Sequence, residues 1–408
     1  MTPSHVAAHL YDPKLILLVW FLGGSVSMLG ALIFSELGAM FPRAGGVYIY
    51  IKEAYGPLAG FLYGWIILLI VNTGAMAALS MAFAEFLGFF FEIQGFTKQI
   101  VAVILVLSLT GVNIFGVNIS QILASFFSGI KIVAIFILLG IGMIYGDWNM
   151  HESSLVALDY PAFSINAFLL AFVGVFWSFG GWHHATYLSG EVVDAQRNVP
   201  RAMIIGTMSV TALYLLANLA YFFLLPMPEL IASEKVAGDA ISAVFHNGGK
   251  LVSMLVICSV FGTIAIYTMT APRIYYAMAE DKVFFNFLAK VHPKYDTPHY
   301  AMIFQAIWAS LLILLWGSFI RIITFVTFMD IVFMMVAAST IFVFRMKRPH
   351  ENRPYKVLAY PFLPILYVFV TAAFVFNLLW DLSAESWIGV VILLLGIPTY
   401  FFFKYNRK

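Results

Sequence analysis

A single cysteine in 408 residues, Cys258, excludes any internal disulfide, and its place beside Val256 and Ile257 makes it a small packing residue. Charge is also scarce. Asp, Glu, Lys and Arg make up 10% of the chain, against about 25% in soluble domains. There is no basic tail or zinc-like cluster, and a net charge of +2 gives no case for nucleic acid as a partner. No phosphate-cradling loop, HExxH or nucleophile motif occurs, so neither ATP-driven nor hydrolytic chemistry is expected, and no cofactor is implied.

The abundant material is apolar. Hydrophobic residues are 62% of the chain and aromatics 17%, with 40 Phe. This composition is that of an all-α integral membrane protein whose working partner is the lipid bilayer. Complete spans are read at 15–41, 57–91, 97–116, 121–145, 167–189, 202–225, 250–272, 299–317, 322–344, 361–380 and 387–403. Each approaches or exceeds the roughly 20 apolar residues that a bilayer crossing needs.

Lys and Arg assign the sides. The loops 42–56, 190–201, 273–298, 345–360 and the tail 404–408 hold sixteen of the 22, Arg273 among them as a simple anchor. The opposite loops hold five, and Lys131 stands inside a span. The positive-inside rule puts the first set, and the C-terminus, in the cytoplasm. The exterior loop 146–166 carries Asp147, Glu152 and Asp159 and no Lys or Arg. Residues 1–10 form at most about 15 Å of helix, half a crossing. Thr2-Pro3 reads as the N-cap and first position of that half-helix.

The stretch INAFLLAFVGVFWSFGGWHHATYLSG (165–190) is a span interrupted at Ser178-Phe179-Gly180-Gly181. Paired glycines weaken a helix where hydrocarbon makes unsatisfied backbone groups most expensive. Two readings stand. The pair allows close helix packing, or the break lines a cavity where carbonyls of Phe176, Trp177 and Ser178 accept bonds from a ligand ammonium. Lys131 adds a second tension, because an ammonium at that depth costs at least about 2.5–3.5 kcal/mol and calls for a polar partner. Ser259 and Thr263, four apart on one helix face, offer hydroxyls.

Several runs carry a resemblance. GALIFSELGAMFPRAGGVYIYIKEAYGPLAGFLYGW (30–65), SFGGW (178–182) with SGEVVDAQRNVPRAM (189–203), and FVTFMDIVFMMVAASTIFVFRMKRPHENRPYKV (325–357) resemble amino acid–polyamine–organocation transporters. LANLAYFFLLPMPELIASEKVAGDA (216–240) resembles the L-type amino acid transporter branch. The resemblance implies an inverted five-helix repeat transporter fold, with eleven full spans here as family helices two to twelve and residues 1–10 as the outer half of helix one. The first repeat would occupy 1–145, the second 167–344, and two additional helices 361–403. The family's Gly-Ser-Gly-Ile-Phe break in helix one would fall just before Met1. The resemblance therefore implies an upstream extension of roughly 25–45 residues containing a half-helix and that break.

It also implies roles. The substrate would be a neutral amino acid, carried without sodium by an exchanger or uniporter. Trp177 would gate the cavity, with Trp182 structural. Gly180 and Gly181 would open the break, and His183 would stand near the substrate, a satisfied buried His being an equal reading for it and the favoured one for His184. Ser4 and His5, in the first turn of the half-helix, would lie near the substrate carboxylate. Lys131 would take the place of a sodium ion and tether the broken helix one to Ser259 and Thr263. Glu36 would anchor the cytoplasmic loop. Glu85 and Asp330 would be paired structurally. The loop EIQGFTK (92–98) has no cysteine, so no disulfide-linked heavy subunit is expected, and the sequon Asn118-Ile-Ser120 falls on the cytoplasmic side. Two other functions remain: a proton-coupled symporter using Lys131 or His183, and a non-transporting amino acid-binding sensor.

Overall fold

The computed structural model describes residues 2–43, 45–88, 90–115, 117–147, 164–246, 248–316, 319–381 and 384–405. Most of the loop 146–166, with Glu152 and Asp159, lies outside the described residues. Among those described, every regular element is helical.

In chain order the helices begin with α1 (Thr2–Leu10), α2 (Pro13–Met40), α3 (Val47–Tyr55) and α4 (Pro57–Leu87). Next come α5 (Phe96–Ile114), α6 (Val117–Tyr145), α7 (Ile165–Phe179) and α8 (Ala195–Leu224). The short α9 (Met227–Ala232) and α10 (Val236–Ser242) precede α11 (Gly248–Thr270) and α12 (Pro272–Glu280). The chain closes with α13 (His299–Trp316), α14 (Phe319–Lys347), α15 (Phe362–Asp381) and α16 (Ala384–Tyr405). Among the described residues, ten helical stretches are long and apolar enough to cross a membrane. The expected span at 299–317 corresponds to a shorter apolar stretch, His299–Leu315.

Boundaries follow local chemistry. Asp12 caps α2 by accepting the Lys14 N–H at 2.7 Å, with Pro13 at the first helical position. Within α4, residues Ile67–Val71 form a π turn. The wider winding is held by two bonds, from Thr73 Oγ1 to the Leu68 carbonyl at 2.6 Å and from Trp308 Nε1 to the Leu69 carbonyl at 2.9 Å. A π turn leaves carbonyls short of α-helical partners, and in hydrocarbon they must find others.

The helices pack in two groups, which meet along α6 and α8. In one, α2 lies along α8 and also meets α7, and α1 lies along α7. In the other, α4 and α6 pack on α11, α4 packs on α14, and α5 packs on α13. Small residues set the closest approach, as is usual between membrane helices. A Cβ on Gly24 would stand 2.4 Å from Thr211 Cγ2 of α8, and one on Gly23 2.2 Å from Val175 Cγ1 of α7.

Ion pairs tie the Lys- and Arg-rich ends together. Glu36 of α2 is fully buried, with Arg345 Nη2 at 2.8 Å, Arg353 Nε at 3.2 Å and the Val357 N–H donating at 2.8 Å. The Arg345 contact joins the two groups of helices. Glu36 thus anchors the chain after α14. Lys52 and the Tyr48 hydroxyl of α3 both reach Asp281, at 2.7 and 2.6 Å. Burial, reinforced by that bond, holds the Tyr48 phenol protonated far above its usual range. Glu85 pairs with Lys98 at 2.5 Å at the opposite end.

Gly24→Leu is expected to force α2 from α8 and to destabilise by about 1–3 kcal/mol or more. Thermal unfolding of detergent-purified protein checks this against Gly111→Leu, where nothing lies within 4 Å of an added Cβ.

Candidate functional site

α7 stops at Phe179, well short of the expected end at 189. Gly180 turns to φ −57°, ψ 152°, and Gly181 adopts φ +98° in the left-handed region. That conformation favours glycine, because a Cβ would be strained there. The chain then resumes as a tight 3-10 turn, Trp182–Thr186, closed by the His184 N–H on the Gly181 carbonyl at 3.0 Å.

The break does not free all three carbonyls expected of it. The Gly180 N–H takes the Trp177 carbonyl at 3.1 Å. The Tyr214 hydroxyl of α8 takes that of Ser178 at 2.7 Å, and the Ser178 hydroxyl bonds back to the Gly174 carbonyl at 2.9 Å. The reason is the medium: the helix tightens its last turn and borrows a phenol so that little stays unsatisfied. Phe176, the third, borders the hollows beside the break.

Two small hollows flank the break. One is lined by Val71 and Ala75 of α4, Trp177, His183, His184, Tyr267 of α11, and Thr327 and Asp330 of α14. The other includes Ser27 of α2, Trp182, Tyr367 and Thr371. Phe176, Gly180, His183, Asp330 and Ile331 border both. A larger cavity of about 250 Å³ lies between the break and α8, walled by Phe179, Trp182, Met203, Thr207 and Tyr214 among others.

The sequence candidates distribute unevenly around this centre. Trp177 is half-buried and faces the first hollow. Trp182 packs edge-on against Phe34 and His183, with ring centroids 5.0 and 5.5 Å apart, and fills the notch at Gly30. His184 is satisfied by Thr270 Oγ1 at 2.8 Å and meets the Tyr267 ring edge-on. His183 is 2% exposed, and its Nε2 lies 4.0 Å from Asp330 Oδ1, beyond hydrogen-bond length. The pairing expected for Asp330 is therefore a near-contact.

Lys131 of α6 donates to Thr263 Oγ1 of α11 at 2.6 Å, and the Thr263 hydroxyl in turn donates to the Ser259 carbonyl at 3.0 Å. Ser259 thus contributes its backbone, and its hydroxyl is not bonded to Lys131. No bond joins Lys131 to α1 among the described residues, so the tether runs from α6 to α11 alone. Ser4 and His5 stand apart from the hollows. His5 Nδ1 would lie 3.6 Å from a Cβ on Gly174, and Thr2 Cγ2 at 2.9 Å, so α1 docks on α7 about 9 Å before the break.

Other features were not foreseen. Arg273 is no simple surface anchor: it is 5% exposed and grips both oxygens of Glu191 at 2.8 and 3.2 Å while bonding the Met269 carbonyl. It thereby fixes the chain beyond the break to α12. Thr327, Tyr267 and the π turn also escaped notice, although Thr327 and Asp330 are three apart and share a helix face.

Comparisons with known proteins bear on the chain as a whole. A family described as amino acid permease matches residues 2–397. The chain belongs to the amino acid permease family. This permease is 30% identical to the serine/threonine exchanger SteT of Bacillus subtilis over 100% of its own length and 92% of that protein. It is 30% identical to the human large neutral amino acids transporter small subunit 2, over 98% of the permease and 76% of the relative. The human Asc-type amino acid transporter 1 is 31% identical over 98% and 77% respectively. The resemblance to the amino acid–polyamine–organocation superfamily and its L-type branch is thus borne out, and the permease is a multi-pass membrane protein rather than an enzyme.

Gly181→Ala is expected to destabilise the permease more than Gly180→Ala does, by about 1–3 kcal/mol from backbone strain alone. An added Cβ at Gly181 meets only the Tyr267 hydroxyl, at 3.7 Å, so crowding is not the cause. Thermal unfolding of the two variants in one detergent measures the difference.

Proposed function

We propose that this permease carries neutral L-amino acids across the cell membrane as a sodium-independent exchanger or uniporter, its C-terminus in the cytoplasm. The supporting observation is the Lys131 ammonium held by Thr263 at 2.6 Å. The Lys131 amine bound to an α11 hydroxyl stands where a coupling cation would otherwise be needed to hold two scaffold helices together. The relatives point the same way: one is a serine/threonine exchanger and another a transporter of large neutral amino acids. The substrate's ammonium would meet the Phe176 carbonyl, with Trp177 closing over the first hollow. The two repeats, 1–145 and 167–344, would move against each other around this centre, with 361–403 outside them. The cysteine-free stretch 92–98 leaves no thiol there for a heavy subunit.

One observation favours a second reading. The buried His183 and the half-buried Asp330 could pass a proton, which would make the permease a proton-coupled symporter. Uptake by proteoliposomes with and without a pH gradient separates the two. Exchange or uniport predicts counterflow unaffected by the gradient, and symport predicts accumulation that follows it. Binding without flux would instead mark a sensor.

Lys131→Ala is expected to abolish or severely slow uptake while the protein still inserts, and parent uptake is expected to be indifferent to sodium at fixed potential. Normal flux in Lys131→Ala, or a steep rise with sodium, overturns the coupling role. Trp177→Ala should slow counterflow more than it weakens equilibrium binding, because a gate acts on the occluded state. An effect on yield alone would make Trp177 a packing residue.

A further inference from the structure

Nine histidines occur in the chain, and two of them, His5 and His9 of α1, have no part in the site beside the break. They stand four apart, so one helical turn puts both rings on the same face. Their ring centroids are 4.6 Å apart at an interplanar angle of 45°. Both residues are half-buried, whereas Ser4, Val6, Ala7 and Leu10 of the same helix are buried. Ionisable side chains at membrane depth are rare and face a bundle interior or water rather than lipid.

Hydrogen bonding decides which ring nitrogens are open. His9 Nδ1 lies 2.8 Å from the His5 carbonyl, and a carbonyl only accepts, so Nδ1 carries the proton. A neutral imidazole has one N–H, which leaves a lone pair on His9 Nε2. A ring N–H backed by a main-chain carbonyl is the device that orients metal-ligating histidines. His5 Nδ1 is buried without a partner and would stand 3.6 Å from a Cβ on Gly174 of α7. Nε2 is therefore the nitrogen of His5 left to meet a ligand. Two imidazole nitrogens on one tetrahedral zinc ion lie about 3.3 Å apart, a separation that rings at this spacing reach. Histidines one turn apart on a helix face are a recurrent way of holding that ion.

A second close pair provides a contrast. His292 and His299 have ring centroids 5.3 Å apart. There His292 Nδ1 accepts the Lys294 N–H at 3.2 Å, so its Nε2 carries the proton in the neutral ring. That tautomer is the opposite of the one at His9.

We propose that His5 and His9 bind a divalent transition-metal ion of the zinc type through their Nε2 atoms, at the seam between α1 and α7. Among the described residues no three His, Cys, Asp or Glu gather to hold a metal, so water completes the coordination. Structural zinc sites are closed by four protein ligands, whereas this one is open and exchanges its ion. The ion acts as a reversible staple across one turn of α1. At nine residues, α1 is too short to be stable as an isolated helix, so the staple reinforces the turn that docks at Gly174. The site stands apart from the amino acid that the permease carries.

Calorimetric titration of Zn2+ into the purified full chain, stripped by a chelator and freed of any affinity tag, tests this. One ion per chain is expected, at a site that His5→Gln and His9→Gln each weaken at least ~10-fold and His292→Gln leaves unchanged. No saturable binding, or a site kept in His9→Gln and lost in His292→Gln, overturns the assignment. Should the variants fail to fold, one equivalent of Cu2+ on the parent decides by electron paramagnetic resonance. Splitting from two imidazole nitrogens supports the pair, and one nitrogen or none overturns it. Thermal unfolding reads the staple separately: Zn2+ is expected to raise the midpoint of the parent and not that of the double variant His5→Gln/His9→Gln. An equal rise in both, or none in the parent, overturns the staple.

Discussion

Every backbone N–H and C=O within hydrocarbon has to be bonded by the protein itself, and the centre of this molecule is organised around the places where the helices fail to do so. At the end of α7 the failure is repaired in pieces. Gly180 folds back on Trp177, and Tyr214 reaches across from α8 to Ser178. In α4 the π turn is repaired by Thr73 from within and by Trp308 from α13. The two irregular segments face each other across one hollow, to which the π turn contributes Val71 and the break contributes Gly180 and Gly181. Irregular backbone is thus confined to the walls of a cavity, where its remaining polarity can be used.

The ends of the molecule use a different means. Ion pairs gather on the Lys- and Arg-rich side, where Glu36, Glu53, Glu191 and Asp281 each hold a cation from another segment. Removing one member of a buried pair strands the other, which makes such a pair an all-or-none fastening. The Glu36 pair bridges α2 and α14, one helix from each of the two groups, and the Arg273 pair binds the chain after the break to α12. Any motion of one group against the other has to accommodate or break the Glu36 fastening, while the hollow at the break lies within reach of the same helices.

Much of this was legible in the sequence, for identifiable reasons. Hydropathy located the spans because a bilayer imposes one length, and the Gly-Gly pair announced the break because glycine is what a left-handed residue needs. Lys131 demanded a partner by its depth alone, and the helix spacing of hydroxyls put Thr263 within the right set. The remainder depends on which faces meet. Nothing local joins His183 to Asp330, which lie on separate elements, and the resemblance that put Ser4 and His5 near the substrate did not show that α1 would dock against Gly174. The π turn left no trace in a run of Ile, Leu and Val, since its determinants, Thr73 and Trp308, lie after it or on another helix. Arg273 looked like a surface charge because its partner, Glu191, is far away in the chain.

The π turn has one more consequence. Wider winding accommodates about one extra residue per turn, and each residue of an α-helix turns the chain by about 100°. The five residues Ile67–Val71 therefore act as a phase shifter between two halves of α4. The first half presents Tyr63 to Tyr187, whose hydroxyls meet at 2.6 Å, and the second presents Ala75 to the hollow and Asn72 to Gln305. In a uniform helix these two sets of faces could not be aimed independently. A one-residue insertion fixed in this helix is a simple evolutionary route to such a face, because it re-aims one half while leaving the sequence of the other intact.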